Sequence, residues 1–135
     1  MTGHGVARSS LGEADALFFA PFDFRGPVRK ALAAVKPRLL LLLETELWPN
    51  LIHEARRVGV RIAVVNGRLS PGSSARYRRI RFLLKHVLAE GDLFLMQGEA
   101  HAERARAIGA PPERVRVAGN LKFDALGEPP TPEPL

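Results

Sequence analysis

Pro37-Arg38-Leu39-Leu40-Leu41-Leu42-Leu43-Glu44-Thr45-Glu46-Leu47-Trp48-Pro49-Asn50 decides the fold class of this chain. Five consecutive leucines, with no polar position among them, suit a strand buried on both faces. Pro49 then stands where the first turn of a helix tolerates a missing N–H. The stretch reads as strand, polar turn, helix.

The same grammar recurs on either side. Apolar runs at Asp15 to Ala20, Arg61 to Val65, Asp92 to Met96 and Arg114 to Ala118 are each followed by a segment with helical spacing. Five βα-like repeats predict a Rossmann-like α/β fold, a parallel sheet covered by helices. Gly26-Pro27 marks a helix start, and Gly59, Gly91 and Gly109 fall where C-terminal caps belong. Met1 to Gly12 has no clear apolar stripe and reads as the remnant of a loop and helix whose first partner strand is missing. Beyond Asp124 the residues Ala125 to Leu135 are proline-rich and read as a linker or tail. The expected organisation is therefore a domain over 1–124 and a linker over 125–135.

Composition narrows the function classes. With 135 residues, 46% apolar and 25% charged, the chain is neither collagen-like nor low-complexity and can bury a core. It has no cysteine, which removes disulfides, thiol nucleophiles and Cys-ligated zinc. The longest apolar run, Leu39 to Leu43, is far shorter than the roughly 18 residues that span a bilayer. Twenty Lys and Arg against 14 Asp and Glu give a net charge of +6 and point to an anionic partner.

In open parallel sheets ligands bind outside the carboxyl ends of the strands, so the residues just after each apolar run carry the chemistry. They are Glu44-Thr45-Glu46, then Asn66-Gly67-Arg68-Leu69-Ser70, then Gln97, then Gly119-Asn120-Leu121-Lys122. If strand geometry persists past Leu43, Glu44 and Glu46 point the same way, and their like charges favour general acid–base work. Alternatively Glu46 caps the helix at Pro49 and Glu44 pairs with a neighbouring cation. Ser70 before Pro71 is a helix N-cap; Arg68 beside it suits an anion near a helix N-terminus. Lys122 suits stabilisation of developing negative charge. His53 reads as a helix-surface residue, and no metal site is expected. Ala75 to Leu88 predicts one amphipathic helix, with Tyr77, Ile80, Leu84, Val87 and Leu88 on its apolar stripe and Arg76, Arg78, Arg79, Arg81 and Lys85 off it. Phosphate-cradling, dinucleotide and nucleophile-elbow motifs are absent from the sequence.

Three of these blocks, Glu44 to Ile52, Asn66 to Ser70 and Gly119 to Asp124, resemble in this order the signature blocks of 3-deoxy-D-manno-octulosonic acid (Kdo) transferases. Weaker agreement runs from Thr2-Gly3 through Pro21-Phe22-Asp23 to Gln97 and Arg104 to Gly109. The resemblance implies a GT-B glycosyltransferase that moves Kdo from CMP-Kdo to the lipid A precursor (lipid IVA) of lipopolysaccharide, at the cytoplasmic face of the bacterial inner membrane. It needs no metal and no cofactor, CMP-Kdo being the donor substrate. Attachment would be peripheral, or through an N-terminal segment upstream of Met1.

By the same resemblance, this chain is the N-terminal, acceptor-side domain; the donor domain follows the linker, and the inverting reaction's general base lies upstream of these residues. The chain alone is then expected to be inactive. Glu44 and Lys122 match transition-state stabilisers, while Glu46, Asn66, Arg68, Ser70 and Asn120 fall in substrate-binding positions. Two departures stand out. Gly67 replaces a usual alanine, and Pro71-Gly72 occupies a place where an arginine is common, for which Arg76, Arg78 and Arg79 are near enough to compensate. The basic helix gains a purpose at an anionic membrane, with no nucleic acid expected. The alternative is a non-catalytic basic α/β module that binds anionic lipid or nucleic acid, and a GT-B enzyme using another donor is a third reading.

Overall fold

The computed structural model describes residues 16–120. Met1 to Gly12, Lys122 and the proline-rich stretch 125–135 lie outside the described residues. Along the chain run α1 (Arg25–Val35), β1 (Leu39–Leu43), α2 (Pro49–Arg57), β2 (Arg61–Gly67), α3 (Pro71–Arg79), α4 (Arg81–Ala89), β3 (Leu93–Met96), α5 (Glu99–Ile108), a short 3-10 turn (Pro112–Arg114) and β4 (Val115–Val117). The strands form one parallel sheet in the order β1-β2-β3-β4. The expected α/β class and four of the five expected strands are present.

The fifth is not. Residues 16–22 form no ladder, and Phe18 and Phe19 are exposed. An apolar run becomes a strand only where a neighbouring strand offers its backbone groups, and here β1 pairs with β2 alone among the described residues.

The expectation of strands buried on both faces also needs correction. Burial alternates: Leu42, Ile62, Val64, Phe94 and Met96 are buried, whereas Leu39, Leu41 and Leu43 are exposed, Leu43 by 64%. The cause is topological. Each strand adds on the same side of its predecessor, and right-handed crossovers wound in one direction all return over the same face. Among the described residues, the core therefore lies on one side of the sheet. There the buried strand residues join Ala55, Leu84, Leu88, Ala102, Ala105 and Ile108 in one cluster.

The helix expected over 75–88 is two helices. It breaks at Ile80, with ψ 22°, into α3 and α4. In a continuous helix Arg78 and Arg81 would stack like charges one turn apart; here Arg78 lies in the last turn of α3 and Arg81 opens α4. Leu84 and Leu88 turn into the core, while Ile80, expected on the apolar stripe, is 43% exposed.

Candidate active site at the carboxyl edge of the sheet

Parallel pairing brings the ends of all four strands to one edge. Glu44 N–H donates to Val65 O at 2.9 Å, Gln97 N–H to Gly67 O at 2.9 Å, and Ala118 N–H to Met96 O at 2.9 Å, so each strand end is tied to its neighbour. Gln97 Nε2 adds a bond to Asn66 O at 3.2 Å.

Two residues on this edge adopt left-handed backbone without being glycine: Glu44, with φ 58°, and Asn66, with φ 55°. Asn66 sits where β2 slips against β3, since Val64 pairs with Phe94 but Gly67 with Met96, leaving one extra residue on β2. Glu44 closes β1. The extended geometry that would have aligned it with Glu46 ends at Leu43, so the two carboxylates are not a strand-aligned pair. Nor does Glu46 cap α2; it accepts from the Trp48 indole at 3.4 Å. Among the described residues Glu44 makes no ion pair.

The cap of α2 comes from Asp23. Its Oδ1 accepts from Leu51 N at 2.8 Å, its Oδ2 from Asn50 N at 3.1 Å, and its carbonyl from Asn50 Nδ2 at 2.7 Å. No local pattern betrays a cap 27 residues away, although Asp23 belongs to the weak block at Pro21-Phe22-Asp23.

Glu44, Glu46, Trp48, Leu51 and Asn66 line one open cavity of about 610 Å³ that extends along β1, where Leu40 to Leu43 and Ala20 complete its lining. Arg68 and Ser70 lie beyond it, exposed, on the β2 side. Their loop is clamped from two directions. Thr45 Oγ1 donates to Arg68 O at 2.6 Å and accepts from Arg68 N at 2.9 Å. Across the sheet, Arg104 donates to Leu69 O at 2.9 Å, and His101 Nδ1 lies 3.1 Å from Leu69 N and 3.0 Å from Leu69 O. Ser70 caps α3 as expected, accepting from Ser73 N at 3.1 Å. Thr45, His101 and Arg104 were not singled out as site residues from sequence, because their partners become neighbours only when the strands pair.

Asn120 follows β4, two strands from β2 and three strand spacings, or roughly 14 Å, from the Glu44 end. A ligand touching both ends of this edge must be extended. The structure thus brings Glu44, Glu46 and Asn66 into one cavity, sets Arg68 and Ser70 on its flank and holds Asn120 farther along. Lys122 lies outside the described residues. His53 is a helix-surface residue as read, its Nδ1 2.9 Å from Glu90 Oε1. Among the described residues no three acidic or imidazole side chains converge as a metal site would require.

The edge is polarised, with carboxylates at β1 and a guanidinium at β2. Carboxylates and an amide in a half-open cavity suit hydrogen-bonding to sugar hydroxyls, and the arginine suits a phosphate.

A second cavity of about 580 Å³ lies between α1 and α2, lined by Arg29, Leu32, Lys36, Glu54, Arg57 and Val60 among others. Glu54, 1% exposed, is held there by Arg29 (2.8 and 3.0 Å) and Arg57 (3.0 Å). The Arg29 hydrogen bonds, aided by the charges of both arginines and opposed by burial, pull its carboxyl down to about 2. Its polar atoms are committed to joining two helices.

The sequence profile of the family described as 3-Deoxy-D-manno-octulosonic-acid transferase (kdotransferase) matches residues 1–125. A bifunctional glycosyltransferase/methyltransferase of Fusobacterium nucleatum is 45% identical over 107 residues, which are 79% of this chain and 17% of that protein. The 3-deoxy-D-manno-octulosonic acid transferase of Bordetella pertussis is 37% identical over 122 residues, 90% of this chain and 27% of that one. Its Haemophilus influenzae counterpart is 30% identical over 123 residues, covering 91% and 29%. The chain thus spans under a third of the length of these relatives.

Proposed function

The chain belongs to the 3-deoxy-D-manno-octulosonic-acid (Kdo) transferase family, and from that premise we propose that it forms the acceptor-side domain of an inverting GT-B glycosyltransferase of lipopolysaccharide synthesis. The donor is CMP-Kdo, the acceptor is the lipid A precursor, and a second domain, joined through the linker at 125–135, holds the donor. The observation that carries the reading is the cavity at the carboxyl edge, where Glu44, Glu46 and Asn66 meet beside Arg68. A phosphorylated glucosamine disaccharide offers both hydroxyls for the carboxylates and phosphate for Arg68 and the cations near α3. It is also long enough to reach along the edge towards Asn120 and Lys122.

In this reading Glu44 and Lys122 stabilise charge that develops as the sugar leaves CMP, and the base that deprotonates the acceptor hydroxyl comes from outside the chain. Glu46, Asn66, Ser70 and Asn120 orient the acceptor. Catalysis then depends on holding groups in place rather than on a bound cofactor or metal. In the same reading the protein works at the cytoplasmic face of the inner membrane, where it meets its lipid acceptor.

The test grafts residues 1–125 into the Bordetella pertussis enzyme in place of its matching segment. The chimera is expected to transfer Kdo from CMP-Kdo to the lipid A precursor, read as a mass shift of the acceptor. Glu44→Gln is expected to lower turnover by about 100-fold or more with unchanged circular dichroism. Near-normal turnover of that variant would remove Glu44 from the chemistry, and a folded chimera without transfer would contradict the acceptor-side assignment.

A further inference from the structure

Arg76, Arg78, Arg79, Arg81 and Lys85 fall between Pro71 and Ala89, a span without Asp or Glu; outside it 15 cations meet 14 acids, so nearly all of the +6 net charge resides here. All five are exposed, and none makes an ion pair among the described residues. Between them, at the α3–α4 break, three large apolar side chains face solvent: Ile80 at 43%, Phe82 at 64% and Leu83 at 56%. A helix that served only to cover the sheet would keep its outward positions polar. Here the inward positions, Leu84 and Leu88, are already buried, so the outward three are surplus to the core.

We propose that the α3–α4 break is a membrane-docking knuckle, with Ile80, Phe82 and Leu83 entering the acyl boundary of an anionic bilayer while the flanking cations rest on its headgroups. This deepens the functional reading and rests on its lipid acceptor. Charge selects the occupant. A second copy would oppose five cations to five. A nucleic acid would use the cations but has no use for Ile80 or Leu83, and only Tyr77 and Phe82 are present to stack on bases. An anionic lipid surface uses both features, since each cation near it strengthens binding about fivefold and apolar insertion survives salt.

The chain has no cysteine, so Phe82→Cys gives one labelling site, and Glu113→Cys, 71% exposed on the 3-10 turn, gives a control. Each carries an environment-sensitive fluorophore and is mixed with phosphatidylglycerol-rich vesicles, free of lipid A, or with phosphatidylcholine vesicles. With the anionic vesicles, the label at 82 is expected to blue-shift and be quenched by lipid-borne quenchers, while the label at 113 is not.

Arg78→Gln/Arg79→Gln/Arg81→Gln should weaken sedimentation with anionic vesicles by about 100-fold. Phe82→Ser/Leu83→Ser should bind at about 50 mM salt but lose most binding at about 500 mM, where the parent chain retains it. A label at 82 that stays aqueous on sedimenting protein would overturn the insertion. Failure to bind vesicles, or tighter binding to a single-stranded oligonucleotide, would overturn the lipid surface. None of these outcomes touches the transferase reading, whose own test is transfer.

Discussion

Glu44 spends backbone energy on its position. Left-handed φ costs a residue with a Cβ on the order of 1–2 kcal/mol, and glycine escapes most of it. In the proposed reading that strain is offset by what the carboxylate does for transfer. Glu44→Gly is therefore expected to leave stability unchanged or raise it by up to about 1 kcal/mol in urea melts, even as it removes the proposed transfer. A marked loss of stability would show that the carboxylate is structural.

Gly67 gives the converse case. A Cβ there would lie 2.5 Å from Met96 Sδ and 3.3 Å from Leu95 O, so the alanine usual in the resembling family fits only if residue 96 yields. Gly67→Ala should cost about 1–2 kcal/mol, and Gly67→Ala/Met96→Val clearly less than the sum of its parts. Chemical denaturation of the four-variant cycle measures it. The polar residues at the strand ends were legible in sequence because any parallel sheet gathers them. The backbone of Glu44 and Asn66 was not, because it arises from pairing with strands about 20 and 30 residues away.

Between elements, the Arg29–Glu54–Arg57 cluster fastens α1 to α2, and its titration sets a pH window. Glu54 is more acidic folded, at about 2, than an unfolded glutamate near 4.3, so its contribution is complete above that unfolded value and drains away as pH falls towards 2. Asp92, lowered chiefly by the Ile62 N–H and helped by Arg56, acts in the same direction. Acid unfolding should steepen between about pH 4 and pH 2, and Glu54→Gln should flatten that slope in circular dichroism titrations.

Element identity was readable for four strands and for the helix punctuation at Pro49 and Gly109. Two elements misled. The run at Asp15 to Ala20 has a strand's composition, yet its described residues, 16–20, form no ladder, and the 75–88 stripe is helical in period yet breaks at Ile80. Composition reports what a segment tolerates, and partners decide what it becomes.

At the scale of the molecule, one-way winding among the described residues puts the crossovers on one face and the strand-end loops at one edge. Fold class was legible because alternating strands and helices imply a parallel sheet with helical crossovers. Which face is left uncovered among the described residues was not, because it depends on strand order, and five leucines in a row hide the alternation that β1 shows. The polarity of the edge orders the parts: carboxylates and the single tryptophan at β1, a clamped arginine loop at β2, an apolar knuckle in the basic span beyond it.

Trp48 is the chain's only tryptophan and lines the cavity beside Glu46, so its fluorescence reports directly on occupancy. Titration with the lipid A precursor in detergent is the decisive measurement. Occupancy of the edge predicts a saturable change in Trp48 emission that Glu44→Gln weakens and CMP-Kdo alone does not produce. A flat titration, or an equal response in the Glu44→Gln chain, would contradict an acceptor site at this edge.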